Sequence, residues 1–207
     1  WNCLVCGIAG FIGHSKNEEM SYRFLTHLFV GCQVRGIDAA GFWGTTTEGS
    51  VVFDKAPGPA EDFVTKSSWK YLPASLDLLI VHARGASSGV GSPQENINNH
   101  PFTNDNKSIA LIHNGRIPDE EYNVLKQYYE VLSNCDSEIL LRIFEYPGGL
   151  EGIQQIWSLL TRPQMAVAIA ERISPNHKNL FLFRNQFRSL WLADLRHQLG
   201  QIFFCST

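Results

Sequence analysis

The feature that most constrains this sequence is the stretch of residues 1–13, WNCLVCGIAGFIG, in which Cys6 precedes a short apolar run. Apolar residues of different size alternate there with glycines at positions 7, 10 and 13, a pattern typical of a buried strand that another group approaches closely. Such a strand presents Cys6 at its end. If the five residues before Cys6 are removed, its thiol and a free α-amine lie on adjacent carbons, and both titrate within reach of neutrality. The stretch then offers a nucleophile with its own base.

Other interpretations of Cys6 remain open from this stretch alone. Cys3 and Cys6 form a C-x-x-C pair, which is typical of half a zinc site or of a redox pair, although no second such pair follows. Free cysteine is also among the most buried residue types and often has no role beyond packing. The chemistry of Cys6 therefore has to be decided by its surroundings.

The composition indicates one folded domain. The chain has 207 residues, 44% of them hydrophobic and 18% charged, which is enough to bury a core and argues against disorder. A net charge of -3 gives no footprint for nucleic acid or an acidic membrane, and no apolar run is long enough to span a bilayer. Five scattered cysteines favour reduced thiols and a cytoplasmic location.

Hydrophobic periodicity predicts an α+β fold of two sheets with helices outside. Residues 17–34 have the spacing of an amphipathic helix, and residues 39–45 and 51–53 that of a hairpin, followed at 54–70 by a loop with one short helix. Continuous apolar runs at 76–82 and 108–113 predict strands buried on both faces. Further helices are predicted from residues 118, 136 and 150, and further strands at 165–170, 180–184, 190–193 and 202–205.

Polar side chains with a chemical use follow the predicted strands. Asn114-Gly115 is a strong turn signal, but an Asn amide beside a glycine N–H also provides the two converging donors of an oxyanion hole. Arg35 and Arg84 each precede a glycine, where a guanidinium can bind a carboxylate, although surface ion pairs are the commoner use of arginine. Asp136 is by default a helix N-cap and alternatively the partner of a substrate ammonium.

Three histidines raise the question of a metal site. His82, His100 and His113 do not have the spacing of a known ligand set, and two of them directly follow apolar runs. We therefore expect structural histidines and no metal.

Six short segments gain meaning from their order: CGIAG at 6–10, RGIDAAG at 35–41, HARGASSG at 82–89, NNHPF at 98–102, HNG at 113–115 and DSE at 136–138. Together they resemble the glutaminase domain of the class II glutamine amidotransferases, which are N-terminal-nucleophile hydrolases, as in glucosamine-6-phosphate synthase. The resemblance covers essentially the whole chain from Cys6. It implies a four-layer αββα sandwich, a domain spanning residues 6–207, and residues 1–5 as an extension or propeptide.

The resemblance also implies a role for each matching residue. Cys6 attacks the side-chain amide of L-glutamine, ammonia leaves, and water then hydrolyses the resulting γ-glutamyl thioester to glutamate. No metal or organic cofactor takes part. The remaining roles follow the motifs: Asn114 and Gly115 form the oxyanion hole, Arg84, Ser87, Ser88 and Asp136 bind the substrate, and Arg35 and His113 support the site.

Two departures from the family pattern and two rival functions accompany this expectation. Gly85 and Ser88 stand where the synthase carries tryptophan and histidine, which affects affinity for glutamine more than the type of reaction. The sequence ends at Thr207 with no acceptor domain, so we expect a separate synthase partner to receive the ammonia.

The rivals are an amidase of the same fold with another substrate, and a silent binding or regulatory module that never exposes Cys6.

Overall fold

The computed structural model describes residues 6–86, 91–160 and 164–206. These residues form two antiparallel sheets with helices on their outer faces. The strands are β1 (Gly7–Ile12), β2 (Ala39–Thr46), β3 (Val51–Pro57), β4 (Leu76–Arg84), β5 (Phe102–Thr103), β6 (Ile109–Arg116), β7 (Gln164–Ser174), β8 (His177–Arg184), β9 (Trp191–Leu195) and β10 (Gln201–Cys205). The α-helices are α1 (Glu18–Cys32), α2 (Ala60–Phe63), α3 (Ser67–Lys70), α4 (Asp119–Leu125), α5 (Glu138–Ile143) and α6 (Gly149–Leu159).

The first sheet has the strand order β3-β2-β4-β1-β10-β9, and the second has the order β5-β6-β7-β8. In the first sheet, β4 lies between β2 and β1, and all nine of its residues are buried. This confirms the prediction of a strand covered on both faces. β1 lies between β4 and β10 and pairs antiparallel with both.

Three apolar layers hold the four-layer sandwich together. Helices α1 to α3 cover the outer face of the first sheet, where Phe29, Phe63 and Trp69 pack around Phe42. A second layer lies between the sheets and includes Ile8, Trp43, Leu78, Ile80, Ala110, Ile112, Ala166, Ala168 and Phe204. The third packs α5 and α6 against the outer face of the second sheet. The predicted αββα architecture is therefore confirmed.

The local predictions differ from the structure mainly in the stretch expected to be a loop. β3 continues to Pro57 because it pairs with β2 along its whole length, up to Ala39 opposite Pro57. Two short helices follow where one was expected, and each buries one aromatic side chain, Phe63 or Trp69, in the outer core. Tertiary pairing and packing thus organised a stretch that has no local periodicity.

Helix α1 begins where the sequence signals it. The Asn17 side chain accepts a hydrogen bond from the backbone N–H of Met20, which is the usual N-cap geometry. Among the described residues, none of the helices is long and apolar enough to cross a membrane.

Candidate active site

Cys6 lies directly before β1, at the end of the sheet where β4 finishes. Gly7 pairs with Ala83, so Cys6 stands beside Arg84, the last residue of β4. The Cys6 thiol is half-buried, and its Sγ lies 3.7 Å from the carbonyl oxygen of Gly85. Gly7 leaves no room for a side chain, because an added Cβ would lie 2.6 Å from the Cβ of Cys32 in α1. The helix therefore fixes the backbone next to the thiol.

Arg84 is a buried residue, which excludes the interpretation as a surface arginine. It is only 2% exposed, its Nη1 donates to Asn99 Oδ1 at 2.6 Å, and its Nη2 donates to the Gly91 carbonyl at 3.0 Å. Asn99 is held in turn through its Nδ2, which donates to the carbonyl of Pro93 at 2.7 Å. The NNHPF segment therefore positions the guanidinium beside the thiol.

Asn114 and Gly115 lie inside β6, so the interpretation as a turn is wrong. They pair with Ala166 and Met165 of β7, and the strand continues to Arg116. An added Cβ at Gly115 would collide with the backbone carbonyl oxygen of Gln164, the first residue of β7. Glycine stands here because the two strands approach closely, and not because the chain reverses.

Asn114 is fully buried, and its two amide ends have different surroundings. Its Nδ2 lies 3.2 Å from Ser206 Oγ, whereas its Oδ1 has no hydrogen-bond partner within the described part of the chain. An unpartnered buried acceptor is costly, and such groups are common at functional sites.

Asp136 does not cap a helix, contrary to its default interpretation. Its Oδ2 accepts a hydrogen bond from the backbone N–H of Ile117 at 2.7 Å, and Ser137 occupies the position before α5. His113, in contrast, is a structural histidine as expected. Its Nδ1 lies 2.9 Å from Ser137 Oγ, and its Nε2 lies 3.3 Å from the Gln164 carbonyl.

One small cavity, with a volume of about 20 Å³, brings these groups together. This volume corresponds to about one ordered water. Five residues of the predicted site line it, namely Cys6, Arg84, His113, Gly115 and Asp136, together with Gly85, His100, Arg116, Cys135 and Ser137. Two larger cavities, of about 290 and 460 Å³, contain none of the motif residues, so the chemistry places the site at the small one.

Two other predicted residues of the described part of the chain, Arg35 and Asn114, are not in this lining. Arg35 is half-buried, and its Nη2 donates to the carbonyl of Ser206 at 3.4 Å. Asn114 lies one residue before the lining residue Gly115. Ser87, Ser88 and the extension of residues 1–5 lie outside the described residues.

Burial controls the ionisation of the cavity walls. It raises the pKa of the Cys6 thiol to about 11, and the Arg84 guanidinium offsets only part of this effect. His82 and His100 are stacked with ring centroids 3.9 Å apart; burial lowers the pKa of His82 to about 3 and that of His100 well below its usual value. Both rings are therefore neutral at physiological pH.

The described residues contain no group of three or more His, Cys, Asp or Glu side chains that could hold a metal ion. The arrangement instead joins a thiol, a guanidinium, a carboxylate and a strand-end glycine at one cavity. Such a set can bind both charged ends of an amino acid and present a carbonyl carbon to sulfur.

Sequence reasoning missed three residues that build the site. Asp38 Oδ2 accepts from the backbone N–H of Ala86 at 2.7 Å and so fixes the chain just after β4. Asn99 holds Arg84, and Ser206 contacts Asn114. The first two lie inside the motifs at 35–41 and 98–102, which was a usable signal, whereas nothing in the local sequence distinguishes Ser206.

Comparison with known proteins gives a consistent family. No family model matches the chain. The chain is 30% identical over 181 residues to glutamine–fructose-6-phosphate aminotransferase of Campylobacter jejuni, covering 84% of this chain and 28% of that protein. The Bacillus subtilis protein of the same name is 30% identical over 190 residues, which cover 88% of this chain and 29% of the relative. The chain thus spans less than a third of the length of these relatives.

Solved structures agree on the fold. Glutamine phosphoribosylpyrophosphate amidotransferase from B. subtilis, complexed with ADP and GMP, has a TM-score of 0.67 at 21% identity, covering 97% of this chain and 42% of that one. A structure described as the allosteric regulatory enzyme of purine biosynthesis has a TM-score of 0.69, with the same identity and coverage. Sequence and fold together show that the chain belongs to the class II glutamine amidotransferases, as a counterpart of their glutaminase domain with the N-terminal-nucleophile hydrolase fold.

Proposed function

We propose that residues 6–207 form a glutaminase domain that hydrolyses the side-chain amide of L-glutamine to glutamate and ammonia. The observation that carries the proposal is the convergence of Cys6, Arg84, Gly115 and Asp136, from four separate stretches of chain, on one cavity. Another amide substrate would require the thiol and the oxyanion donors, but it would not require both a buried cation and a buried anion beside them.

Cys6 is the nucleophile of the proposed reaction. Its Sγ attacks the amide carbonyl carbon, the leaving nitrogen takes up the proton from the thiol and departs as ammonia when the C–N bond breaks, and water then attacks the resulting thioester to release glutamate and regenerate the thiol. Because burial raises the pKa of the thiol to about 11, the thiol is protonated at neutral pH and needs a base. The free α-amine of Cys6 provides that base once residues 1–5 are removed, whereas an amide nitrogen does not.

The oxyanion and the substrate termini are stabilised by different elements. The Asn114 side chain and the Gly115 backbone N–H donate to the oxygen that becomes negative in the tetrahedral intermediate. Arg84 binds the α-carboxylate with Ser87 and Ser88, and Asp136 binds the α-ammonium.

The ammonia is passed to a synthase subunit or domain, which aminates an acceptor. The relatives carry glutamine and fructose-6-phosphate in their names, and this chain matches less than a third of their length. The location is cytoplasmic, in keeping with the cysteine usage.

The test uses protein made with Cys6 as its N-terminus and protein that retains residues 1–5. We expect glutamate release from glutamine only in the first. In that form, Arg84→Ala raises KM for glutamine, and Asn114→Ala lowers kcat by about 10²-fold with little change in KM. Arg23→Ala, which removes an exposed arginine of α1, is the matched control and leaves both parameters unchanged.

A catalytically silent binding module is the second candidate, favoured by the raised pKa of the Cys6 thiol. The same experiment separates the two candidates. Glutamine that binds in a calorimeter without releasing glutamate from the Cys6-terminated form supports the silent module and refutes the glutaminase. Full activity in Asn114→Ala refutes the oxyanion role.

A further inference from the structure

A hydroxyl outside the motifs connects the nucleophile strand to the predicted oxyanion donor. Ser206, directly after β10, is fully buried, and its Oγ accepts from the backbone N–H of Ile8 at 3.0 Å. The same Oγ lies 3.2 Å from Asn114 Nδ2. The backbone N–H of Ser206 donates to the Ile8 carbonyl at 2.9 Å, and its carbonyl accepts from Ser189 Oγ at 2.7 Å. Ser206 is therefore held on several sides.

We propose that Ser206 is a positioning residue whose hydroxyl orients the Asn114 amide toward the developing oxyanion. This inference rests on the proposed function, in which Asn114 is an oxyanion donor. Ser206 itself does not touch the substrate and acts through Asn114.

The hydrogen-bonding capacity of the pair supports this role. The Ile8 N–H occupies one acceptor position on the Ser206 oxygen, while the hydroxyl hydrogen remains available to donate. Turning the Asn114 amide by 180° places Oδ1 at this hydroxyl and gives a partner to the acceptor that is otherwise unpaired among the described residues. Both Nδ2 hydrogens are then free for another acceptor. In this arrangement Ser206 donates to Asn114, and Asn114 donates to the oxyanion.

The contact also joins the two sheets at the catalytic end. Ser206 and Ile8 belong to the first sheet, and Asn114 belongs to the second. Ile8 is two residues from Cys6, so one hydroxyl fixes the oxyanion donor relative to the strand that carries the nucleophile. Reaction rates depend on the placement of catalytic groups to within a fraction of an ångström. An Asn114 amide without this hydrogen bond is no longer placed so accurately.

A double-mutant cycle in the Cys6-terminated protein tests the proposal. We expect Ser206→Ala to lower kcat by about 10-fold with KM for glutamine within about 2-fold, because the residues that bind the substrate ends are untouched. In an Asn114→Ala background, Ser206→Ala has no further effect on kcat. Ser189→Ala, which removes the other hydroxyl contact of Ser206, is the matched control and keeps kcat within about 2-fold. Ser206→Thr, which retains the hydroxyl, restores kcat toward that of the parent protein.

A second readout does not need activity. In ¹⁵N-labelled protein, the Asn114 side-chain NH₂ pair is assigned by its loss in Asn114→Ala. We expect Ser206→Ala to shift this pair and Ser189→Ala to leave it in place. An unmoved pair, or a double variant whose loss of kcat is the product of the single losses, overturns the positioning role. A shifted pair in protein that releases no glutamate supports the Ser206–Asn114 contact and refutes only the glutaminase.

Discussion

Replacing Asp136 with Asn tests whether the cavity recognises an α-ammonium. Asn keeps the shape of the side chain and one acceptor oxygen for the Ile117 N–H, so the perturbation is chiefly the loss of one negative charge. Asp136 is 5% exposed, and an ion pair at about 4 Å in such surroundings has a Coulomb energy of about 4 kcal/mol. Desolvation of the ammonium offsets about half of that energy, which leaves about 2 kcal/mol, or about 30-fold in kcat/KM.

The assay compares glutamine with 5-amino-5-oxopentanoate, which has the same amide and carboxylate but no ammonium. The parent protein should prefer glutamine by about 30-fold in kcat/KM, and Asp136→Asn should reduce this preference to nearly 1. Asp194→Asn makes the same charge change in an exposed ion pair with Arg196 and is the matched control. If Asp136→Asn loses activity equally on both compounds, Asp136 does not bind the ammonium, and the assignment of the substrate ends is wrong.

Three further predictions concern stability and reactivity. Gly115→Ala should lower the free energy of unfolding by about 1–3 kcal/mol, because its Cβ collides with β7, whereas Gly31→Ala, which has open space, should not destabilise the protein. Burial opposes ionisation of Glu138, but its hydrogen bonds outweigh burial and lower its pKa. Its contribution to the free energy of unfolding is therefore present above the usual glutamate pKa and is lost as pH falls through the lowered value. Glu138→Gln should therefore cost about 1 kcal/mol at pH 7 in denaturant titrations and nothing in strong acid, with Glu145→Gln as the control. With residues 1–5 retained, iodoacetamide labelling of Cys6 should rise about 10-fold per pH unit until about pH 11, and a plateau near pH 8 would contradict the buried thiol.

The sequence predicted the elements that depend on local pattern. The apolar run at 76–82 became β4, and the amphipathic spacing at 17–34 became α1. The errors arose where long-range pairing decides the structure. Asn114-Gly115 has strong local turn propensity, yet β7 pairs with both residues and keeps them in a strand. Asp136 has N-cap chemistry, yet its carboxylate bonds to Ile117 instead.

The residues that line the cavity were easier to single out from the sequence than the residues that hold them, for a physical reason. A nucleophile or a charge pair is characterised by residue type, and short motifs retain that information. Asn99 and Ser206, in contrast, contact the site residues Arg84 and Asn114 only because the fold brings them together. An amide or a hydroxyl has no recognisable role in the sequence alone. Ser206 lies 92 residues from Asn114 in sequence, and no local pattern encodes such a contact.

The alternation of side chains along the strands explains why the site forms at the sheet interface. In β1, Ile8 lies in the layer between the sheets, whereas Ala9 and Phe11 pack under the helices. Cys6 is two residues before Ile8, so its side chain is directed to the same layer between the sheets.

The same parity applies to the neighbouring strands. Arg84 lies on the same face of β4 as Leu78 and Ile80, which belong to the layer between the sheets. In the same way, Asn114 shares the face of Ile112, and Ser206 shares the face of Phe204. Successive side chains of a strand point to opposite faces of the sheet, so a slip of one residue in the pairing of β1 with β4 would turn Cys6 toward α1. The same slip would turn the apolar side chains of β1 to the opposite face of the sheet. The apolar core therefore fixes the register, and the register brings a thiol, a guanidinium and an amide from distant segments to one end of the sandwich.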